Sequence, residues 1–379
     1  MPFGRGFQVE PAPGGKPDGI LFRWRATLAK RSETRIAVAG AGLVGRAHAE
    51  IVSGSARLDA IIDPDPDAGR IAERHGADWH PDLAEYLRSG RPDGAIVAAP
   101  NHLHLPLARA CLEAGVPVLV EKPLADGIAE ARSLVQASRT TGVPVLVGHH
   151  RRHSPIAELA RDVIEGGRIG RVVAVNAMFW LNKHDDYFNV EWRVRAGGGP
   201  ICINLIHDID LLQHFCGPIT AVQARSARSV RGLEVEDTGA MIFEFASGAL
   251  GTASVCDATS APWSWELTAG ENPIYPQTDQ FCYQIAGTTG ALSVPDLTVW
   301  THAGPEGWWS PITHERIAVA HDDPMARQFE HFLDVILSGV PPLVTGEDGL
   351  RNIEVVEAIQ AAAKSGGTKE IVRSGQGIG

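Results

Sequence analysis

The sequence predicts a two-domain chain. An α/β domain built on a doubly wound parallel sheet comes first, followed by an α+β domain with a large, mainly antiparallel sheet open on one face. Three observations predict it. Short apolar runs alternate with segments of helical spacing from residue 35 to residue 147, which is the signature of βαβ units. A glycine-rich turn directly follows the first of these runs. Beyond residue 171 strand-like segments with alternating or β-branched residues take over, as in an antiparallel sheet with one covered face. A chain of 379 residues also exceeds the size at which one core keeps growing, so two cores are expected.

The elements follow in order. Residues 1–34 read as a disordered extension. Glu10-Pro-Ala-Pro-Gly-Gly-Lys-Pro-Asp-Gly19 is turn chemistry, and Arg23, Arg25, Lys30 and Arg31 follow with no apolar core of the length a secretory signal needs. Residues 35–153 are the parallel-sheet domain. Its buried strands are Ile36–Ala39, Leu58–Ile62, Gly94–Ala98, Val116–Val120 and Val143–Val147, with helical spacing at Leu105–Ala114 and Ile128–Thr141. Residues 154–365 form the second domain, opened by a helix at Ile156–Glu165. Strands are expected at 171–180, 220–230, 239–245, 250–255, 283–285, 292–294 and 298–300. Helices at Pro324–Leu337 and Glu347–Lys364 close it, and residues 366–379 are a C-terminal tail.

Composition removes several classes of function. Hydrophobic residues at 44% and charged residues at 21% exclude a largely disordered chain. No run approaches the roughly 20 apolar residues of a membrane helix, so no membrane partner is expected. A net charge of −11 argues against nucleic acid as a partner. The five cysteines include no C-x-x-C pair; they read as reduced thiols of a cytoplasmic protein.

The turn Gly40-Ala41-Gly42-Leu43-Val44-Gly45 is a G-x-G-x-x-G between an expected strand and an expected helix, the context that makes it a dinucleotide site and the domain a Rossmann fold. Gly40 permits the tight turn, Gly42 admits a pyrophosphate, and Gly45 lets helix and strand pack closely. Asp63 ends the second strand, 18 positions after Gly45. A carboxylate there accepts ribose hydroxyls and repels a 2′-phosphate, favouring NAD over NADP. The alternative is that Asp63 caps the next helix.

Two further segments sharpen this. Ala99-Pro-Asn-His-Leu-His104 ends one strand, and Val116-Pro-Val-Leu-Val-Glu-Lys-Pro-Leu124 contains another. With the glycine turn they resemble the glucose–fructose oxidoreductase / inositol dehydrogenase / rhizopine-catabolism (Gfo/Idh/MocA) family over nearly everything after residue 34. The resemblance implies that Pro100, Asn101, His104, Glu121 and Lys122 border the cofactor, and that Lys122 lies beside nicotinamide and substrate hydroxyl. An ammonium at the carboxyl end of a central strand suits that role, because it stabilises developing alkoxide charge.

Gly197-Gly-Gly-Pro-Ile-Cys-Ile-Asn-Leu-Ile-His-Asp-Ile-Asp210 supplies the second element. By the resemblance, a glycine turn opens a helix carrying an aspartate and, four residues on, a histidine. His207 stands at the histidine position and is the expected general base, with an intrinsic pKa near neutrality. Ile203 replaces the aspartate, and Asn204 follows it as a candidate substrate contact. Arg152, Lys183, Tyr187 and Trp192 complete the candidate substrate residues, since aromatic faces mixed with donors suit a polyol. No metal is expected: His102-x-His104 and His149-His150-x-x-His153 lack a third element.

The implied activity is hydride transfer between NAD(H) and a secondary alcohol of a sugar, inositol or related polyol. Two alternatives share these residues: an NAD-dependent glycoside hydrolase, and a dinucleotide-binding sensor without turnover. The open sheet, with Trp263, Trp265 and Trp300 among its aromatics, implies a homodimer or homotetramer.

Overall fold

The computed structural model describes residues 30–304 and 307–371. Its first sheet contains β1 (Arg35–Ala39), β2 (Arg57–Ile62), β3 (Asp78–His80), β4 (Gly94–Val97), β5 (Val118–Glu121) and β6 (Val145–Gly148). All pairings are parallel, in the order β3-β2-β1-β4-β5-β6. The five expected apolar runs supply five of these strands. The sixth, β3, is a three-residue edge with Asp78 and Trp79 exposed, so it has no apolar run to read. Helices α1 (Leu43–Ser55), α2 (Ala68–Arg74), α3 (Leu83–Ser89), α4 (His104–Glu113) and α5 (Ile128–Thr141) connect the strands. The strand order reverses between β1 and β4, which leaves a crevice at the carboxyl ends of the central strands. The glycine turn after β1 and the segments after β4 and β5 all open there.

After α6 (Pro155–Glu165) the chain enters the second sheet through β7 (Val172–Trp180). Next come α7 (Pro200–Ile203), α8 (Leu205–Cys216), β8 (Ile219–Ala227), β9 (Thr238–Phe245), β10 (Leu250–Cys256) and α9 (Trp265–Thr268). Strands β11 (Tyr283–Gly287), β12 (Gly290–Val294), β13 (Thr298–His302) and β14 (Ile312–Arg316) then precede α10 (Pro324–Ser338), α11 (Gly346–Ser365) and β15 (Lys369–Glu370). The nine strands lie in the order β14-β13-β12-β11-β7-β10-β9-β8-β15. All pairs are antiparallel except β7 with β10. One face buries Phe179, Phe243, Val255 and Tyr283 against Ile209, Leu212 and Ile359 of α8 and α11. The other exposes Ile242, Leu250 and Trp300. Trp265 lies not on that face but buried on α9.

Helices α10 and α11 tie the two halves together. Phe329, Phe332 and Leu333 of α10, grouped from sequence with the second domain, bury instead with Ile36, Val38 and Ile96 of the first sheet. Helix α11 starts at a Thr345–Asp348 capping box, which satisfies two otherwise free N–H groups. Its early residues Leu350 and Ile353 join the first core, and Val356, Ile359 and Ala362 join the second.

Both expected tails need correction at their inner ends. Arg31 pairs with Glu330 and Asp334 of α10, so the fold begins before residue 35; the extension expected over residues 1–29 lies outside the described residues. Lys369 and Glu370 pair with β8, so the fold runs past residue 366; the tail expected over 372–379 also lies outside the described residues. Phe332 is fully buried, and Phe332→Ala is expected to cost about 3–5 kcal/mol. Denaturant unfolding measures this, and a loss below about 1 kcal/mol would show that α10 is not part of the first core.

Candidate active site at the domain seam

The three glycines of the turn do different work. Gly40 has φ +105°, and a Cβ there would lie 2.4 Å from the Ala98 carbonyl oxygen. A Cβ on Gly45 would lie 2.0 Å from the Gly40 oxygen. Both positions are therefore dictated by the fold. Gly42 is extended, with φ −69°, and nothing lies within 4 Å of its missing Cβ. The protein itself does not require glycine at 42, and the missing side chain leaves the cradle open. Gly42 is also the N-cap of the 13-residue α1 and makes no side-chain cap bond. Free N–H groups and the helix dipole there favour an anion. Leu43 is 84% exposed and Val44 is also exposed, on the rim of the cradle.

Asp63 is not the cap that the alternative reading offered, because α2 begins at Ala68 with Asp67 as its N-cap. Asp63 Oδ2 accepts from Ala41 N–H at 2.7 Å and its Oδ1 from Asp65 N–H at 2.9 Å. Each oxygen keeps a lone pair, so ribose hydroxyls can still be bound. The cradle, the helix end and Asp63 fit a dinucleotide.

At the strand ends the crevice is braced by histidines. His104 is buried, and its ring nitrogens lie 2.8 Å from the carbonyl oxygens of Pro123 and Ala99. It locks the β4 exit to the β5 exit and has no ring nitrogen left for a cofactor. Pro100 and Asn101 are exposed at the β4 end. Burial of the Glu121 carboxyl raises its pKa, but the His48 hydrogen bond at 2.8 Å and nearby cations outweigh this and bring it down to about 2. His48, on the buried face of α1, was legible in sequence only as a helix residue.

Lys122 crosses the seam to the short helix that leads into the His207 helix. Lys122, just past β5, donates from Nζ to the Ile203 carbonyl oxygen at 3.0 Å. Ile203 ends α7, four residues before His207. The position where the resemblance implies a carboxylate thus serves Lys122 through its backbone, and two ammonium protons remain for other acceptors. Burial pushes the Lys122 pKa down, against the fields of Glu121 and Glu266. His207 is 7% exposed, and its ring lies 5.6 Å from that of His149 and 5.1 Å from that of His150. Burial, reinforced by Lys122 and Arg151, holds its pKa well below the usual imidazole range. This corrects the expected near-neutral value: His207 stays neutral at physiological pH.

The candidate substrate residues separate. Lys183 Nζ donates to Asn204 Oδ1 at 2.8 Å, pairs with Asp257 at 3.1 Å, and sits 4.5 Å from the Tyr187 ring centre. Lys183, Tyr187 and Asn204 therefore form one unit beside Ile203. Trp192 is mostly exposed and carries the Arg193 guanidinium at 5.5 Å. Arg152 turns elsewhere, to Asp210 at 3.7 Å and the Leu343 carbonyl at 3.3 Å, where it braces α8 against the segment before α11. Its neighbour Arg151 takes the inner place. Arg151 pairs with Asp208 at 3.1 Å and Glu266 at 2.5 Å and lies over the Trp265 ring. Tyr283 also donates to Asp208. Sequence reasoning missed this cluster because its members come from α8, α9 and β11, with no spacing that links them.

Fold and site together define a dinucleotide-binding oxidoreductase. Residues 34–149 match the model of the oxidoreductase family with an NAD-binding Rossmann fold, and residues 157–293 match the GFO/IDH/MocA C-terminal domain. The chain belongs to the Gfo/Idh/MocA oxidoreductase family, and its cofactor is NAD. It is 28% identical to an inositol 2-dehydrogenase of Rubrobacter xylanophilus, over 89% of this chain and 92% of that protein. It is 25% identical to the scyllo-inositol 2-dehydrogenase (NAD(+)) of Bacillus subtilis, over 88% and 95%. Among solved structures, an NAD-binding oxidoreductase from Klebsiella pneumoniae shares the fold with a TM-score of 0.77 at 23% identity, covering 90% of this chain and all of that one.

The glycines give a contrast that separates fold from ligand. Gly42→Ala is expected to melt within ~2 °C of the parent yet bind NADH about tenfold or more weakly, read by fluorescence titration. Gly45→Ala is expected to lower the melting temperature by more than about 5 °C. Unchanged NADH affinity in Gly42→Ala would remove the cradle from the cofactor site.

Proposed function

We propose that this chain oxidises a secondary hydroxyl of a polyol or sugar, of the class that includes inositols, with NAD as acceptor. The observation that carries this is the bond across the seam from Lys122 Nζ to the Ile203 carbonyl oxygen at 3.0 Å, four residues before His207. The named activities of the inositol dehydrogenase relatives support the substrate class.

The chemistry divides among the residues in place. Lys122 keeps two N–H donors and uses them to orient and polarise the reacting hydroxyl. His207, held neutral by burial, accepts the hydroxyl proton on an imidazole nitrogen; its Nδ1 is buried without a hydrogen-bond partner. The bound nicotinamide supplies the hydride acceptor. Lys183, Asn204 and Tyr187, joined beside Ile203, bind further hydroxyls.

The exposed outer face of the second sheet, with Ile242, Leu250 and Trp300, supports association into a dimer or tetramer. No described helix is long and apolar enough to cross a membrane. All five cysteines are free thiols, which supports a reducing, cytoplasmic setting.

Lys122→Ala and His207→Ala are each expected to lower kcat/KM on the best polyol of a panel by about 10²–10⁴-fold, with NADH appearing as product. Because His207 must be neutral and protonates only at a depressed pKa, kcat/KM should stay flat as pH falls through 6.5, the ordinary histidine value. Turnover that survives both substitutions, or an acid limb centred at or above 6.5, would contradict this mechanism.

A further inference from the structure

Polarising a hydroxyl requires Lys122 in its charged form, and a buried ammonium needs a counter-charge to remain so. Its hydrogen-bond partner, the Ile203 oxygen, is neutral; Glu121, whose Oε1 bonds His48, supplies part of the counter-charge from the same strand end. Glu266, at the start of α9, is differently placed. Its Oε1 bonds Arg151 at 2.5 Å, while its Oε2 is buried and has no hydrogen-bond partner. A desolvated carboxylate oxygen without a donor is costly unless one arrives with a ligand.

The carboxylate stands on a fixed element. Ser264 caps α9, and the Trp265 indole donates to Glu271 Oε2 at 2.7 Å while its ring supports Arg151 at 5.6 Å. Glu266 acts electrostatically on Lys122, Lys183, Arg151, Asp208, Tyr275 and Cys282. Lys122 is faced in addition by Glu121, by the cations Arg151 and Lys183, and by His149, His150 and His207. Glu266 is therefore a carboxylate of the second domain whose charge acts on both Lys122 and Lys183.

We propose that Glu266 is a substrate-binding carboxylate: its Oε2 accepts a hydrogen bond from a second substrate hydroxyl, and its charge offsets that of Lys122. The inference rests on the dehydrogenase reading and narrows it to substrates with more than one hydroxyl. A site built around such an acceptor rejects an analogue that lacks the donor.

Glu266→Gln tests this beside Asp208→Asn, which removes the other carboxylate on Arg151. Glu266→Gln is expected to lower kcat/KM on the best polyol about 10²-fold and to lose discrimination against its monodeoxy analogues. It is also expected to move the alkaline limb, where Lys122 loses its proton, to lower pH, since removing a negative neighbour destabilises the ammonium. Asp208→Asn should leave that limb in place. Wild-type kcat/KM and limb in Glu266→Gln, or the same shift in Asp208→Asn, would overturn the proposal, the latter because Glu266 would then act only through Arg151.

Should Glu266→Gln fail to fold, Glu266→Asp replaces it. That variant keeps the limb but should lose about tenfold in kcat/KM, and full activity overturns the proposal. If the parent enzyme turns over no polyol, the dehydrogenase reading fails. The Glu266 proposal is then decided by myo-inositol binding to the NADH complex: about tenfold weaker in the variant supports it, and equal affinity overturns it.

Discussion

Burial of one ammonium at the seam between two sheets organises this molecule. Lys122 leaves β5 of the parallel sheet and ends on a carbonyl of α7, which belongs to the other half. Taking a charge out of water is expensive unless the surroundings compensate. The compensation here comes from both sides: Glu121 from the same strand end, and Glu266 from α9. The relative placement of the two sheets is thus a condition of the chemistry. Helix α11, with one end in each core, and α10, packed on the first sheet, fix that placement.

The same desolvation sets the state of the base. His207 is packed among His149, His150, Lys122 and Arg151, an environment in which a second positive charge is unfavourable. One buried cation therefore both polarises the reacting oxygen and keeps its neighbour free to accept a proton. Behind this pair, Arg151 is neutralised by Asp208 and Glu266, and Asn352 donates to Asp210 at 2.9 Å and lies 3.1 Å from His149 Nε2. These contacts hold α8, and with it His207, against the strand ends.

Much of this was legible in the sequence, and the reasons are physical. Strands such as Gly94–Val97 and Val118–Glu121 are buried on both faces, so they read as apolar runs; β3, exposed at an edge, did not. The glycine turn was legible because Gly40 and Gly45 are forced by backbone contacts and leave a spaced signature. Lys122 and His207 stood out through segments shared with a family. The Arg151–Asp208–Glu266–Tyr283 cluster was not legible, because burial and pairing between distant segments leave no local pattern. Arg152 was chosen over Arg151 for the same reason: adjacent arginines look alike until the fold turns one inward. The parallel β7–β10 pair was hidden too, since strand composition does not encode direction.

The most direct measurement is the pKa of Lys122 itself. The pH dependence of its acylation by an amine-reactive reagent can be followed at the peptide level by mass spectrometry on the folded protein. The account predicts an apparent pKa below the ordinary lysine value of 10.5, because burial outweighs the two carboxylates. A value at or above 10.5 would mean that Lys122 is solvated or fully ion-paired, and would contradict the claim that desolvation at the seam tunes the site.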